Sequence, residues 1–337
     1  MAGSFSPNAA VGTVHHPTPL TDLSLTWRPS TGVMIADQVF PVKPVKHESD
    51  TYYKWNKGQR FRVTRSDGQG SQRADRTAAR LRNYGFTEDS YKLYEYALAE
   101  STTDREKANA DDALSLEESR IHGIQDELML DYEIRVANII RTAANYAAAN
   151  TTTLAGVAQW NNASFASLNS NGLGHSTIKA NIDAGKKAVI AATGGILPNT
   201  IILPYEVAIV ANNDPGLIDK EKYTLSTLLS TDMLDLENPP KLWGMTVLIP
   251  TVQFQTTTEG EPDSLGAVWG KDVWIGFVNP RVGLNSLTFG LTFRKGGFDV
   301  RSWREEKSKE NMYECSLLQT EKLVAADCGY LIKNAIA

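Results

Sequence analysis

Cysteine is nearly absent from this sequence: Cys315 and Cys328 are the only two in 337 residues. Two thiols build neither a disulfide framework nor a four-ligand zinc site, so buried thiols in a reducing cytoplasm are expected. Long apolar runs are also missing; none reaches the roughly 18 residues that span a bilayer. The opening residues, MAGSFSPNAAVGTVHH, have no charged start followed by an apolar stretch, so no secretory signal is read there. Nor is there a surplus of basic charge. The net charge of -5 argues against a dedicated nucleic-acid binder, which carries a basic patch on a basic domain.

Catalytic patterns are missing as well. Neither GxSxG nor HExxH occurs. Gly172-Leu173-Gly174 lacks the third glycine of a dinucleotide fingerprint, and ATGGILPN lacks the Lys-Ser/Thr of a phosphate loop. The histidines are His15, His16, His47, His122 and His175, none with a metal-ligand partner at helical spacing. His122 stands one turn before Asp126, which reads as a solvated helix face. Asp111-Asp112 and Glu117-Glu118 read the same way. No catalytic, cofactor-binding or metal-ligating residue is expected.

What the chain does have is a sequence of contrasting segments. Residues 1–50 hold six of the 14 prolines, which rules out a helix of length, yet they keep Trp27, Val33, Met34, Ile35, Val39 and Phe40. An extended arm lying along a surface, its own or another subunit's, reconciles the two. Residues 54–82 carry nine cations against two acids, a balance of +7. Within them FRVTRSDGQGSQRADR has turn residues at Asp67-Gly68 and Gly70, the mark of a long two-stranded excursion. Two strands alone are marginally stable in water, so the excursion needs something to lie on.

From Glu95 to Glu133 the charge inverts, with twelve acids against three cations, a balance of −9. Inside this tract Leu114, Ile121, Ile124, Leu128, Tyr132, Val136, Ile139 and Ala143 recur at helical steps and predict a spine helix about 50 Å long. Ser115 and Glu118 have the spacing of a capping box. After the Asn- and Ser-rich stretch 150–175 the pattern turns α/β. A helix is expected over 177–192, closed by Gly194-Gly195, with strands at 201–203, 246–249 and 273–278 and a helix at 205–212. From Leu287 alternation predicts a hairpin turning at Gly296-Gly297, and the last stretch supplies one or two more strands.

The order of these segments, with particular residues, resembles the major capsid proteins of tailed bacteriophages with the Hong Kong 97-type fold. The residues that carry it are ADQVFPVKPV (36–45), YYKWNKGQRFR (52–62), NTIILPYEVAIV (199–210), LWGMTVLIP (242–250), WIGFVNP (274–280), VRSWREE (300–306) and EKLVAADCGYLIKNAI (321–336). The resemblance spans nearly the whole chain. It implies an α+β architecture: an N-terminal arm (1–50), an extended β-hairpin loop (51–90), a peripheral domain with a long spine helix (91–180 plus 285–337) and an α/β axial domain (181–284). It also implies self-assembly into hexamers and pentamers of a shell around double-stranded DNA, which the inner face contacts weakly. Further implied partners are a portal, a separate scaffolding protein and a decoration protein; a fused scaffold is either absent or already removed. No membrane partner is expected. The place implied is the virion capsid, assembled in the host cytoplasm.

In such folds the extended loop lies over the peripheral domain of the adjacent subunit. That would lay the +7 segment on or near the −9 segment. The expected intersubunit contacts are therefore Tyr52, Tyr53, Trp55, Arg60, Phe61, Arg62, Arg65, Arg73 and Arg76 from the loop, and Glu117, Glu118 and Asp126 from the helix. Three other readings remain: a nanocompartment shell of the same fold, an α/β enzyme at 177–250 with the basic loop as a substrate clamp, and a basic-loop nucleic-acid binder. The interface reading makes a definite demand. Charge reversal of Arg60, Arg62 and Arg65 together should stop shell formation without unfolding the subunit; normal shells from that triple variant at physiological salt, seen by electron microscopy, would refute it.

Overall fold

The computed structural model describes residues 34–54, 71–79, 81, 87–109, 116–161, 177–213, 241–258, 260–281 and 287–337. In chain order the elements are α1 (Ala36–Val39), β1 (Val42–Pro44), β2 (Ser49–Lys54), β3 (Thr87–Lys92), β4 (Tyr94–Thr103), α2 (Asp104–Asn109), α3 (Leu116–Arg141), β5 (Thr151–Thr153), α4 (Thr177–Thr193), β6 (Thr200–Ile202), α5 (Tyr205–Asn212), β7 (Thr246–Leu248), β8 (Gln253–Gln255), β9 (Leu265–Ala267), β10 (Val273–Gly276), β11 (Gly290–Glu305), β12 (Glu310–Leu323) and β13 (Gly329–Lys333). Four sheets result: β1-β11-β12-β4, β5-β13-β10-β6-β7, and the pairs β2-β3 and β8-β9.

The chain divides into two compact units, and α3, β11 and β12 each contribute residues to both. In the first unit (95–131 and 296–318 of the described residues) the sheet β11-β12-β4 is covered on one side by the first half of α3. Ile121, Ile124 and Leu128 of the helix pack on Tyr96, Leu98, Phe298 and Cys315. Alternation along the strands explains why these side chains share a face. The turn into α2 is closed reciprocally: Thr103 N–H donates to Glu106 Oε2 at 2.9 Å and Glu106 N–H to Thr103 Oγ1 at 3.2 Å. This is a capping box, whereas the box expected at Ser115 and Glu118 involves Ser115, which lies outside the described residues.

The second unit (34–94, 132–295 and 319–337, where described) holds the larger core. Its five-stranded sheet pairs β5 with β13 and β6 with β7 in parallel, and β10 antiparallel to β13 and β6. The sheet joins β5 and β13, which fall in the expected peripheral domain, to β6, β7 and β10 of the expected axial domain. Ile201, Ile202, Val273, Trp274 and Ile275 are essentially inaccessible. Helix α4 lies close to this sheet at Gly185, where a Cβ would come within 2.8 Å of the Tyr330 ring. The helix ends where expected, with Gly194 and Gly195 at positive φ and the Gly195 N–H returning to Ile190 O.

Part of the described arm is core: residues 34–36 and 39–41 are buried, whereas 46–50 are exposed. Met34, Ile35, Ala36, Val39 and Phe40 are all buried, and β1 pairs in parallel with β11. Phe40 meets Phe289 edge-on at 5.9 Å, and its ring occupies the space a side chain on Gly290 would need. On α3 the apolar stripe continues through Tyr132 and Val136 but ends on Ile140 in place of Ile139. Ile140 lies about 40° from Val136 around the helix and Ile139 about 60° the other way.

Two expectations change. The strand does not turn at Gly296-Gly297: β11 runs through both glycines to Glu305, and the turn is at 306–309. Gly296 sits at φ 75 with open space around it, so it absorbs a local irregularity without ending the pairing. The second change concerns Glu133, counted among the acids of the spine. It is fully buried, and its carboxylate accepts from Ile35 N at 3.1 Å, Ala36 N at 2.8 Å and Trp269 Nε1 at 2.7 Å. Burial pushes its carboxyl above the usual range, while the three donors pull the other way. Replacing Glu133 with alanine strands those donors and should cost about 3 kcal/mol or more. Glu133→Gln should cost less, since one oxygen still accepts while its amide faces a donor. Thermal or urea melts of the subunit check the order; an unshifted Glu133→Ala midpoint would refute the hub.

Candidate intersubunit surfaces

Strands β2 and β3, which bracket the segment expected to form the extended loop, make a regular antiparallel pair running from Ser49↔Lys92 to Lys54↔Thr87. It rests on β11 through aromatic contacts. Tyr91 stacks on Phe293 with centroids 4.5 Å apart, and Tyr52 tilts against the same ring at 5.2 Å. The Tyr52 hydroxyl donates to Asp89 Oδ2 at 3.1 Å, and Asp89 forms an ion pair with Lys54, whose amine also lies 5.9 Å from the Tyr52 ring. Burial, and then the Asp89 charge, hold the Tyr52 hydroxyl well above its usual range, so it remains a donor. The hydrogen bond from Lys54 is the main reason Asp89 is held low.

This sorts the predicted aromatic anchors. Tyr52 is committed to its own subunit. Tyr53, one residue on and therefore on the opposite face, is 51% exposed. Trp55, Arg60, Phe61, Arg62 and Arg65 lie outside the described residues. Arg73 and Arg76 are exposed around a turn in which the Thr77 amide and hydroxyl both donate to Ala74 O. Just beyond, Leu81 is 98% exposed.

On the acidic side, Glu118 is exposed and Asp126 half-buried; Glu117 lies on α3, with its side chain outside the described part. The tract offers less free negative charge than its sequence count. Glu100 and Glu106 both pair with Arg120, and Asp104 takes Arg304 through two bonds of 2.9 and 2.6 Å. Glu133 is withdrawn altogether. The hairpin base and the acids Glu118 and Asp126 belong to different compact units. The signal sequence reading lacked was partnering: a charge count does not say which acids already hold an arginine. Among the described residues no group of three or more His, Cys, Asp or Glu comes together, and no helix is long and apolar enough to cross a membrane.

The two tyrosines separate folding from association. Tyr52→Ala should lower subunit stability by about 2 kcal/mol, because it removes packing and a hydrogen bond. Tyr53→Ala should leave it within about 0.5 kcal/mol while reducing the yield of assembled particles. Melting curves and sedimentation of both variants test this; equal losses of stability would refute the assignment.

No family model matches the chain. It is similar to the major capsid protein of Burkholderia phage BcepMu, with 23% identity over 325 residues, covering 94% of this chain and 95% of that protein. Among solved structures, a phage-related protein from Bordetella bronchiseptica RB50 matches with a TM-score of 0.64 and 24% identity, over 96% of this chain and 99% of that one. The capsid of cyanophage P-SCSP1u matches with a TM-score of 0.55 and 8% identity, over 88% of this chain and 86% of that one. The capsid of a native GTA particle gives 0.52 and 15%, over 90% of each chain. The α+β architecture described above is that of these capsid structures: the chain has the Hong Kong 97-type fold and resembles phage major capsid proteins along nearly its whole length.

Proposed function

We propose that this chain is the structural major capsid protein of a tailed phage. Copies assemble into pentamers and hexamers of an icosahedral shell that encloses double-stranded DNA. The observation that carries the reading is the end-to-end similarity to a phage major capsid protein, joined to a fold shared with capsid structures. The arm (1–50), extended loop (51–90), peripheral domain (91–180 plus 285–337) and axial domain (181–284) then take the parts those names describe. The loop clasps the next subunit, and the axial domain meets its copies around the fivefold and local sixfold axes.

Two features support a clasp. The base of the loop is fastened to its own subunit by Tyr52 and Tyr91 on Phe293, so a pull on the loop is transmitted to the sheet. Beyond that base the sequence keeps its cations, Arg60, Arg62, Arg65, Arg73 and Arg76, with few acids to neutralise them. A contact repeated at every symmetric position gains stability from number, so each copy of it can be modest. The mild overall acidity suits a wall that touches packaged DNA weakly, since each neutralised phosphate would add affinity. Scaffolding, portal and decoration proteins are the expected partners, host cytoplasm the place of assembly and the virion capsid the final location. Catalysis has no part in this reading.

Negative-stain microscopy of the purified protein, alone and co-expressed with its scaffolding protein, is the test. Rings of five or six, or closed shells, are expected; a stable monomer at high concentration in both samples would overturn the proposal.

A further inference from the structure

Strands β6 and β7 run in parallel, and each is followed within two residues by a proline. Ile202 pairs with Leu248, so Pro204 and Pro250 lie close together just past the strand ends. Neither has an N–H to continue the ladder, and the chain diverges, into α5 after one strand and towards β8 after the other. Divergence at the carboxyl ends of parallel strands opens a crevice. Here it is a cavity of about 350 Å³, at the small end of the range that ligand pockets occupy. Pro204, Pro250 and Trp269 are buried and make its floor, whereas Tyr205, Glu206 and Gln253 are exposed on its rim. Glu206 pairs with no cation among the described residues. The guanidinium of Arg141, packed against Gly270, is already held by Asp272 and the Val268 carbonyl. The crevice therefore offers an incoming group a carboxylate beside an apolar floor.

Trp269 joins this crevice to the place where the arm enters the fold. Its Nε1 and the Ile35 N stand 2.7 Å and 3.1 Å from the same atom, Glu133 Oε1, and so lie less than 6 Å apart. We propose that the crevice seats residues 27–33 of the same chain, with Trp27 and Pro29 on its proline–tryptophan floor and Arg28 at Glu206. The inference concerns a single subunit and does not depend on the proposed shell. Composition selects the occupant: WRPSTGV has a tryptophan, a proline and a valine, with one cation and no acid. Proline rings and flat aromatic side chains pack on one another wherever proline-containing segments are recognised. Reach permits it, because the six residues from Pro29 to Ile35 span up to about 20 Å when extended. So short a tether gives an effective concentration on the order of millimolar, and a weak contact then suffices. The competing segment 214–240 leaves from the far end of α5, about 12 Å along the helix from Tyr205. It carries six acids to two cations, the wrong sign for Glu206.

The test is cross-linking in dilute full-length subunit. p-Benzoylphenylalanine replaces Gln253 on the rim, and the chain is mixed with unsubstituted, ¹⁵N-labelled chain so that links within and between copies differ in mass. Illumination should join position 253 to a peptide from 27–33 of its own chain. The same probe at Leu197, exposed before the opposite end of β6, should not capture that peptide. Arg28→Glu should lower the yield about two- to fivefold, the scale of one exposed ion pair, and adding Glu206→Arg should restore it. Glu206 is exposed, so the exchange leaves the subunit folded, which a melting curve checks. A link to nothing, to 214–240 or only to the labelled chain overturns the proposal, as does equal capture from position 197 or a yield indifferent to the charge exchange. A failure to form rings or shells bears on the proposed function alone.

Discussion

Three hydrogen bonds to one buried carboxylate tie the arm, the spine helix and Trp269 together within the larger unit. Glu133 stands on the spine helix, yet its partners are the backbone of Ile35 and Ala36 and the indole of Trp269. Residues about a hundred positions apart on one side, and well over a hundred on the other, therefore meet at a point that excludes water. A buried carboxylate is costly unless donors surround it, and here Oε1 accepts from Ile35 N and Trp269 Nε1 and Oε2 from Ala36 N. With those donors in place, Phe40 is fixed under Gly290, β1 is laid alongside β11, and Phe293 comes to the position where the hairpin base rests. The seat of the β2-β3 pair thus depends on a carboxylate that never touches it.

That dependence gives meaning to the split between Tyr52 and Tyr53. A two-stranded hairpin cannot hold itself in water, so its root has to use some of its aromatic surface on its own subunit. Tyr52 and Tyr91 supply that surface, and Asp89 ties Tyr52 to Lys54. Tyr53 remains on the outer face. Alternation alone assigns the two neighbours to different jobs, one to folding and the other, on the proposed reading, to association.

Much of the fold was legible because local pattern and tertiary outcome agree. The helix over 177–193, its glycine stop, the short strand before Pro204 and the buried stripe of α3 from Ile121 to Val136 all follow from periodicity and end signals. The failures have one cause in common, which is that a partner decided the outcome. Gly296-Gly297 reads as a turn until β12 is seen to continue alongside it. Glu133 reads as one more acid of the charged tract until Ile35, Ala36 and Trp269 supply donors. Tyr52 and Tyr53 read alike until Phe293 takes one of them. Chain order carried the resemblance, but no spacing in the sequence reveals which side of a sheet a distant helix will cover.

The charge pattern shows the same limit and points to the role of the acidic tract. Glu100, Asp104 and Glu106 are turned to arginines of their own unit, Arg120 and Arg304. Surface pairs of this kind contribute little to stability, but they fix where cationic side chains lie. With those acids engaged, the charge left to meet a partner is smaller than the sequence balance of −9 suggests. A diffuse acidic helix would attract a basic segment without orienting it. An oriented contact needs side chains held in defined positions as well as charge, which is what the arginine pairs of this tract provide within the subunit.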